Sequence, residues 1–178
     1  MIGISRIHYG LFFRLFVSVV LALAVNANAF EFSATVTGVA DGDTLTVTET
    51  LPDGGKASFK VRLNAIDAPE KGQPYGQAAK KYMAGMVMNR VVKIDCRKID
   101  RYGRLVAAVT VDGRDVGLEM LKAGLAWHYK HFDQTPVYAQ AEAKESKRGL
   151  WQEPNPTPPW DYRHSKKDPQ TAGDGDTR

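Results

Sequence analysis

Residues Phe32 to Glu70 read FSATVTGVADGDTLTVTETLPDGGKASFKVRLNAIDAPE, and the fold follows from how that stretch is punctuated. Phe32 to Val39, Leu45 to Thr50 and Ala57 to Leu63 are rich in Val, Thr and Phe, whose branched or flat side chains suit a pleated surface. Pro52-Asp53-Gly54-Gly55 is a turn signal between the second and third runs, so the stretch predicts a three-stranded meander. Polar clusters fall at the strand ends: Asp41-Gly42-Asp43-Thr44 after the first strand, and Arg62 with Asp67-Ala68-Pro69-Glu70 after the third.

Beyond Pro69 and Gly72 the pattern changes to helical spacing. Ala78, Tyr82, Met83, Met86 and Val87 share one side of a helix predicted over Tyr75 to Asn89. Two further strands are predicted, Val91 to Arg97 and Leu105 to Val111, joined by a third polar cluster, Asp100-Arg101-Tyr102-Gly103-Arg104. Asp115 is placed to cap a helix over Val116 to Lys122 and Gly124 to end it, and a last amphipathic helix is expected over Pro136 to Lys147, stopping at Gly149. Met83, Met86, Met88 and Met120 read as core filler, and Cys96, in the alternation Val92, Ile94, Cys96, as a small buried strand residue. Three strands, a helix, two strands and trailing helices make an α+β arrangement around a small barrel. No internal repeat is visible.

The two ends differ from the middle. Arg6 and Arg14, an apolar run over Leu15 to Val25 and then Ala27-Asn28-Ala29 form a secretory signal pattern cut after Ala29, with an apolar run too short to span a bilayer comfortably. The expected organisation is a signal peptide over 1–29, one folded domain over 30–151, a Pro-rich extension over 152–164 and a disordered tail over 165–178. Pro154, Pro156, Pro158 and Pro159 predict a stiff extended segment resting on the domain through Trp151 or Trp160, and the residues from Ser165 onward are charged, small and unpatterned. An exported protein, periplasmic or secreted, with no membrane attachment after cleavage is implied. Cys96 is the only cysteine, which excludes an internal disulfide framework. Cleavage would remove Arg6 and Arg14 and no acid, lowering the formal charge from +4 to +2, so the sum of charges argues little about partners and the placement of individual arginines argues more.

The three clusters together supply carboxylates and arginines in the mixture that metal-assisted attack on a phosphodiester needs. Carboxylate oxygens hold a hard cation, another carboxylate handles the attacking water, and guanidinium forks hold phosphate oxygens. Read alone, Asp41-Gly42-Asp43-Thr44 is an ordinary turn. It is not an EF-hand loop, because its sixth and twelfth positions are Thr46 and Pro52 where Gly and Glu are required. His128 and His131 offer a competing metal-free acid and base pair. Their rings read instead as solvated or substrate-facing, and no further histidine or cysteine is positioned to complete a zinc site with them.

Asp41-Gly42-Asp43-Thr44, Arg62-Leu63, Asp67-Ala68-Pro69-Glu70, Tyr102-Gly103-Arg104, Gly124-Leu125-Ala126 and Gly149-Leu150-Trp151 resemble, in matching order, the motifs of the thermonuclease or staphylococcal-nuclease-like family. The resemblance covers Val36 to Trp151. It implies a five-stranded OB-fold β-barrel with about three accessory α-helices and calcium-dependent endonucleolytic cleavage of DNA and RNA that leaves 3′-phosphate ends. Asp43 and Asp67 resemble calcium-binding carboxylates, and the main-chain carbonyl of Ala68 a third ligand. Asp41 resembles an acid that reaches the ion through water. Glu70 matches the general base or water-orienting residue, Arg62 and Arg104 the arginines on the scissile phosphate, and Arg101 and Tyr102 positions that contact a terminal phosphate. The family's substrate-facing tyrosines have no one-to-one counterpart in Trp127-His128-Tyr129-Lys130-His131-Phe132. A monomer without a stable protein partner is implied. The alternative is a non-catalytic nucleic-acid-binding module of the same fold, which would have no use for metal carboxylates that repel a phosphate backbone.

Overall fold

The computed structural model describes residues 29–130, 136–141, 144 and 147–167. Five strands carry the fold: β1 (Phe30–Val39), β2 (Thr44–Thr50), β3 (Lys56–Leu63), β5 (Val91–Ile99) and β6 (Leu105–Val111). Between them lies a two-residue strand, β4 (Ile66–Asp67), and after them come β7 (Arg114–Asp115) and β8 (Trp127–His128), also of two residues. The order β3-β2-β1-β5-β6 is antiparallel throughout, and β3 then pairs in parallel with β6, closing the sheet into a barrel. Closure removes the free edges that β3 and β6 would otherwise present. The architecture is the α+β, five-stranded OB-type barrel that the sequence predicts.

Period-two alternation decides which side chains fill it. Val36, Leu45, Val47, Val61, Leu63, Val92, Ile94, Cys96, Ala107 and Val109 are all buried. Cys96 is thus the core residue expected of it. Helix α1 (Gly76–Val87) packs on β1, and α2 (Val116–Lys122) on β6 and on α1. Asp115 accepts the Leu118 amide at 2.8 Å as the expected cap of α2. The helix ends in a Schellman turn: Gly124 (φ 68°) donates to the Leu121 carbonyl and Leu125 to that of Met120.

Three expectations change. The buried stripe of α1 is Gly76, Ala79, Met83 and Val87, while Ala78 and Tyr82 face outward. Small residues at the contact let the helix come close to the barrel, and weighting by large side chains misplaces the face. Met83 and Met120 are core and Met86 packs against it, but Met88 is 36 % exposed. Beyond α3 (Pro136–Ala141) and a 3-10 turn (Gly149–Gln152), the proline-rich end is only partly extended, because Pro159–Lys167 forms a fourth helix, α4, across the expected start of a disordered tail. Pro159 opens it, where the missing N–H is no loss, and Asp161 sits in the first turn. The tail beyond Lys167, His131 and the proposed signal sequence lie outside the described residues. Among those residues no helix is long and apolar enough to cross a membrane.

Candidate active site

The register of β3 gathers the polar clusters. Arg62 is opposite Thr44 on β2 and also opposite Val106 on β6, so the β1–β2 turn and the β5–β6 loop flank one residue. The Leu63 amide donates to the Asp43 carbonyl at 2.8 Å, tying the first cluster to the second. Gly42 makes that approach possible, because a Cβ there would lie 2.6 Å from Cβ of Ala68 and 2.7 Å from Cβ of Ala79. A second close approach sits at Gly76, whose Cβ would meet the Glu70 carbonyl oxygen at 1.9 Å. These contacts seat the Asp67 to Glu70 loop between the barrel and α1.

The result is a cleft of about 690 Å³, lined by Asp41, Asp43, Arg62, Asp67, Ala68, Glu70, Arg101, Tyr102 and Arg104 among others. Every residue singled out from the three clusters for metal, phosphate or proton chemistry therefore lies on one surface. Tyr129 joins them, with its ring 5.7 Å from that of Trp160. His128 does not: it is buried on β8 and stacked 6.2 Å from Tyr138, the setting of a core ring and neither the solvated or substrate-facing ring expected nor half of an acid–base pair.

On the cleft floor Arg62 spreads its fork over four acceptors. Nη1 donates to the carbonyls of Leu63 and Ile66, both at 2.8 Å. Nη2 reaches Asp67 Oδ1 at 2.9 Å and Asp43 Oδ2 at 3.2 Å. Asp43 also accepts the Ala68 amide at 2.8 Å and the Thr44 hydroxyl at 2.9 Å, and Asp41 accepts the Asp43 amide at 3.1 Å. Burial raises the Asp67 carboxyl above the ordinary range despite its arginine partners. Burial, with the Asp43 charge beside it, pushes Asp41 up to about 6. Burial thus makes Asp41 and Asp67 harder to ionise on the floor, even with Arg62 beside them.

The rim is built differently. Asp100 Oδ2 holds Arg104 Nε at 2.7 Å, while Oδ1 accepts the Tyr102 and Arg104 amides at 2.9 and 3.0 Å. Burial alone would raise the Asp100 carboxyl, but these hydrogen bonds outweigh it and hold it low. Both Arg101 and Arg104 lie over the Tyr102 ring, 4.9 and 5.5 Å from its centre.

The sequence missed Arg163. From α4 it donates to Asp67 Oδ2 at 2.7 Å, Asp67 Oδ1 at 3.2 Å and Glu70 Oε1 at 2.8 Å. The docking residues give the only signal for it: Trp160 packs 5.8 Å from Trp127, and Trp127 packs 4.3 Å from Trp151. The described residues hold no group of three or more His, Cys, Asp or Glu set to grip a metal as they stand. The donor chemistry nevertheless fits a hard cation, because Asp41, Asp43 and Asp67 bring carboxylate oxygens to one cleft and burial makes Asp41 and Asp67 harder to ionise without a cation nearby.

Residues 60–153 match the family model described as staphylococcal nuclease homologue. An uncharacterized endonuclease of Haemophilus influenzae is 41 % identical over 134 residues, spanning 74 % of this chain and 73 % of that protein. One from Escherichia coli O157:H7 is 40 % identical over 134 residues, 74 % of this chain and 84 % of its own length. The staphylococcal-like nuclease CAN1 of Arabidopsis thaliana is 40 % identical over 111 residues, which span 61 % of this chain and 34 % of the plant protein. With motif order, barrel and match in agreement, the chain belongs to the staphylococcal nuclease family.

Proposed function

We propose that this protein is an exported, calcium-dependent endonuclease that cleaves DNA and RNA and leaves 3′-phosphate ends. As a family member it is a nuclease, a hydrolase of phosphodiester bonds, and nucleic acids are its substrates. The convergence of Asp41, Asp43 and Asp67 with Arg62, Arg104 and Glu70 on one cleft supports metal-dependent cleavage, while export rests on the signal pattern over residues 1–29 and the 3′-phosphate product on the family resemblance. Hard carboxylate oxygens in a loose arrangement suit calcium better than zinc, which favours nitrogen and sulfur ligands.

Asp43 and Asp67 would hold the ion directly, together with the Ala68 carbonyl oxygen, and Asp41 through water. When bound, calcium would supply a Lewis acid that draws charge from the phosphate. Glu70, at the cleft edge and joined to Asp67 by the short Ala68-Pro69 link, takes the proton of the attacking water. Arg104, held by Asp100, presents its remaining donors to phosphate oxygens, and Arg62 neutralises charge from below. Arg101 and Tyr102 extend the grip to a terminal phosphate. Tyr129, with its ring on the cleft wall, suits base stacking.

Digestion of single-stranded DNA with calcium and then with excess chelator tests the metal step. Cleavage is expected only with the ion, and Asp67→Ala is expected to lose both calcium binding and cleavage. Full activity in chelator would overturn the metal reading. Tight binding of single-stranded DNA without cleavage under any divalent ion would establish a binding module instead. Phosphatase sensitivity of the new 3′ ends tests the product, and cell fractionation tests export.

A further inference from the structure

Arg163 occupies the carboxylate that the proposed metal reading assigns to calcium. A carboxylate oxygen offers two lone pairs. Asp67 Oδ1 already accepts from Arg62 Nη2 and Arg163 Nη1, and Oδ2 accepts from Arg163 Nη2. Three of the four acceptor positions on a side chain only 2 % exposed are therefore taken, two of them by one guanidinium. The same fork holds Glu70 Oε1.

The helix that delivers this fork is tied down at several points outside the carboxylates. Trp160 packs on Trp127 and Tyr129. The Tyr162 hydroxyl donates to the Gly72 carbonyl at 2.8 Å. Just upstream, Gln73 Nε2 donates to the Thr157 carbonyl at 2.5 Å, while Gln73 Oε1 accepts the Glu70 amide at 3.1 Å. The placement of Arg163 is therefore fixed by packing and by main-chain contacts, independently of its attraction to the acids.

We propose that Arg163 is an internal counter-cation that competes with the divalent ion for Asp67, so that helix α4 sets the metal affinity of the site. The inference rests on Asp67 being a metal ligand. One acceptor position remains on Oδ2, so a divalent ion there either displaces the fork or sits beside its positive charge, and both weaken its hold on Asp67. The Glu70 contact does not stand in the way, so the arginine can keep that acid while yielding the other. Arg62 cannot play this part, because its Nη1 is held by two backbone carbonyls and its Nη2 also bonds Asp43. Without Arg163, calcium meets an Asp67 whose Oδ2 is open and whose remaining cationic partner is Arg62 on Oδ1.

Calorimetric titration of the full chain with calcium, in the absence of nucleic acid, reads the effect without relying on cleavage. The fork is 42 % exposed, so solvent screens it and removing it is expected to tighten calcium binding about three- to tenfold. Arg163→Ala tests this directly. Trp160→Ala keeps the arginine but loosens its helix, and tighter calcium binding is expected there as well. A variant harmed only in its folding would bind calcium more weakly, so the direction of change separates competition from general damage. Unchanged or weaker calcium affinity in Arg163→Ala would overturn the proposal while leaving a calcium-dependent nuclease intact. If the parent bound no calcium and cut DNA in chelator, the metal reading itself would fall and this inference with it.

Discussion

The floor and the rim of the cleft pair arginine with aspartate in opposite surroundings. On the floor Arg62 meets Asp43 and Asp67 at side-chain exposures of 11, 8 and 2 %. On the rim Arg104 meets Asp100 at 29 and 17 %. Hydrogen bonding wins on the rim and holds Asp100 low, whereas burial wins on the floor and lifts Asp67. An arginine close to a carboxylate is therefore no guarantee of a comfortable charge. The floor remains a place where additional positive charge is favourable, and the rim is already satisfied.

That difference separates two substitutions which look alike in sequence. Arg62→Lys and Arg104→Lys should each lower turnover by about 10³-fold, Arg104→Lys because a lysine lacks the planar fork that spans two phosphate oxygens, and Arg62→Lys because an ammonium cannot hold Asp43 and Asp67 in place beneath the phosphate. Only the first should also reduce stability. Arg62 ties Leu63, Ile66, Asp43 and Asp67 together, and an ammonium cannot serve all four, so a loss of about 2 kcal/mol is expected. Thermal melting alongside steady-state kinetics checks the pair. Equal melting temperatures for the two variants would erase the distinction, and turnover within a few-fold of the parent would remove that arginine from the phosphate grip.

Glu70 lines the same cleft, with a partly exposed carboxylate on a backbone held by Gln73 and passing close to Gly76. Glu70→Gln keeps size and hydrogen bonding but cannot take a proton at neutral pH. Cleavage should fall by about 10²-fold or more while calcium and nucleotide affinity persist. Normal cleavage by this variant would end its role as base. A parallel loss of calcium affinity would instead place Glu70 among the metal ligands of the floor.

Much of this site was legible because its parts are local. Asp41 to Thr44, Asp67 to Glu70 and Asp100 to Arg104 each sit at a strand end, where turn chemistry and functional groups appear together in a few residues. Asp115 and Gly124 announce the ends of α2 for the same reason. What was not legible depends on approach across space. The double pairing of Arg62 with Thr44 and Val106 arises only when the barrel closes, and the inward face of α1 is set by the room that Gly76 and Ala79 leave. Helix α4 was hidden by its own prolines: four in six residues read as extended, yet Pro159 is well suited to the first helical position. Arg163 was hidden with it.

The smallest expected effect compares one acid from each region in the metal-free protein. Asp41, raised to about 6 from an unperturbed 3.8, is harder to ionise in the folded state than in the unfolded one. The folded chain holds the extra proton between those values, so this group lowers stability as pH rises through that window, and the penalty persists at neutral pH. Asp100 is shifted the other way, and its contribution is present above the unfolded value and is lost as pH falls through the lowered one. In chelator at pH 7, Asp41→Asn should therefore stabilise by at most about 3 kcal/mol, with an advantage that shrinks as the pH drops below 6 and vanishes near 4. Asp100→Asn should destabilise slightly at pH 7, and its deficit should disappear only in stronger acid. Denaturant unfolding across pH measures both. If the two variants shifted stability in the same direction at pH 7, the floor and the rim would not differ in their need for positive charge.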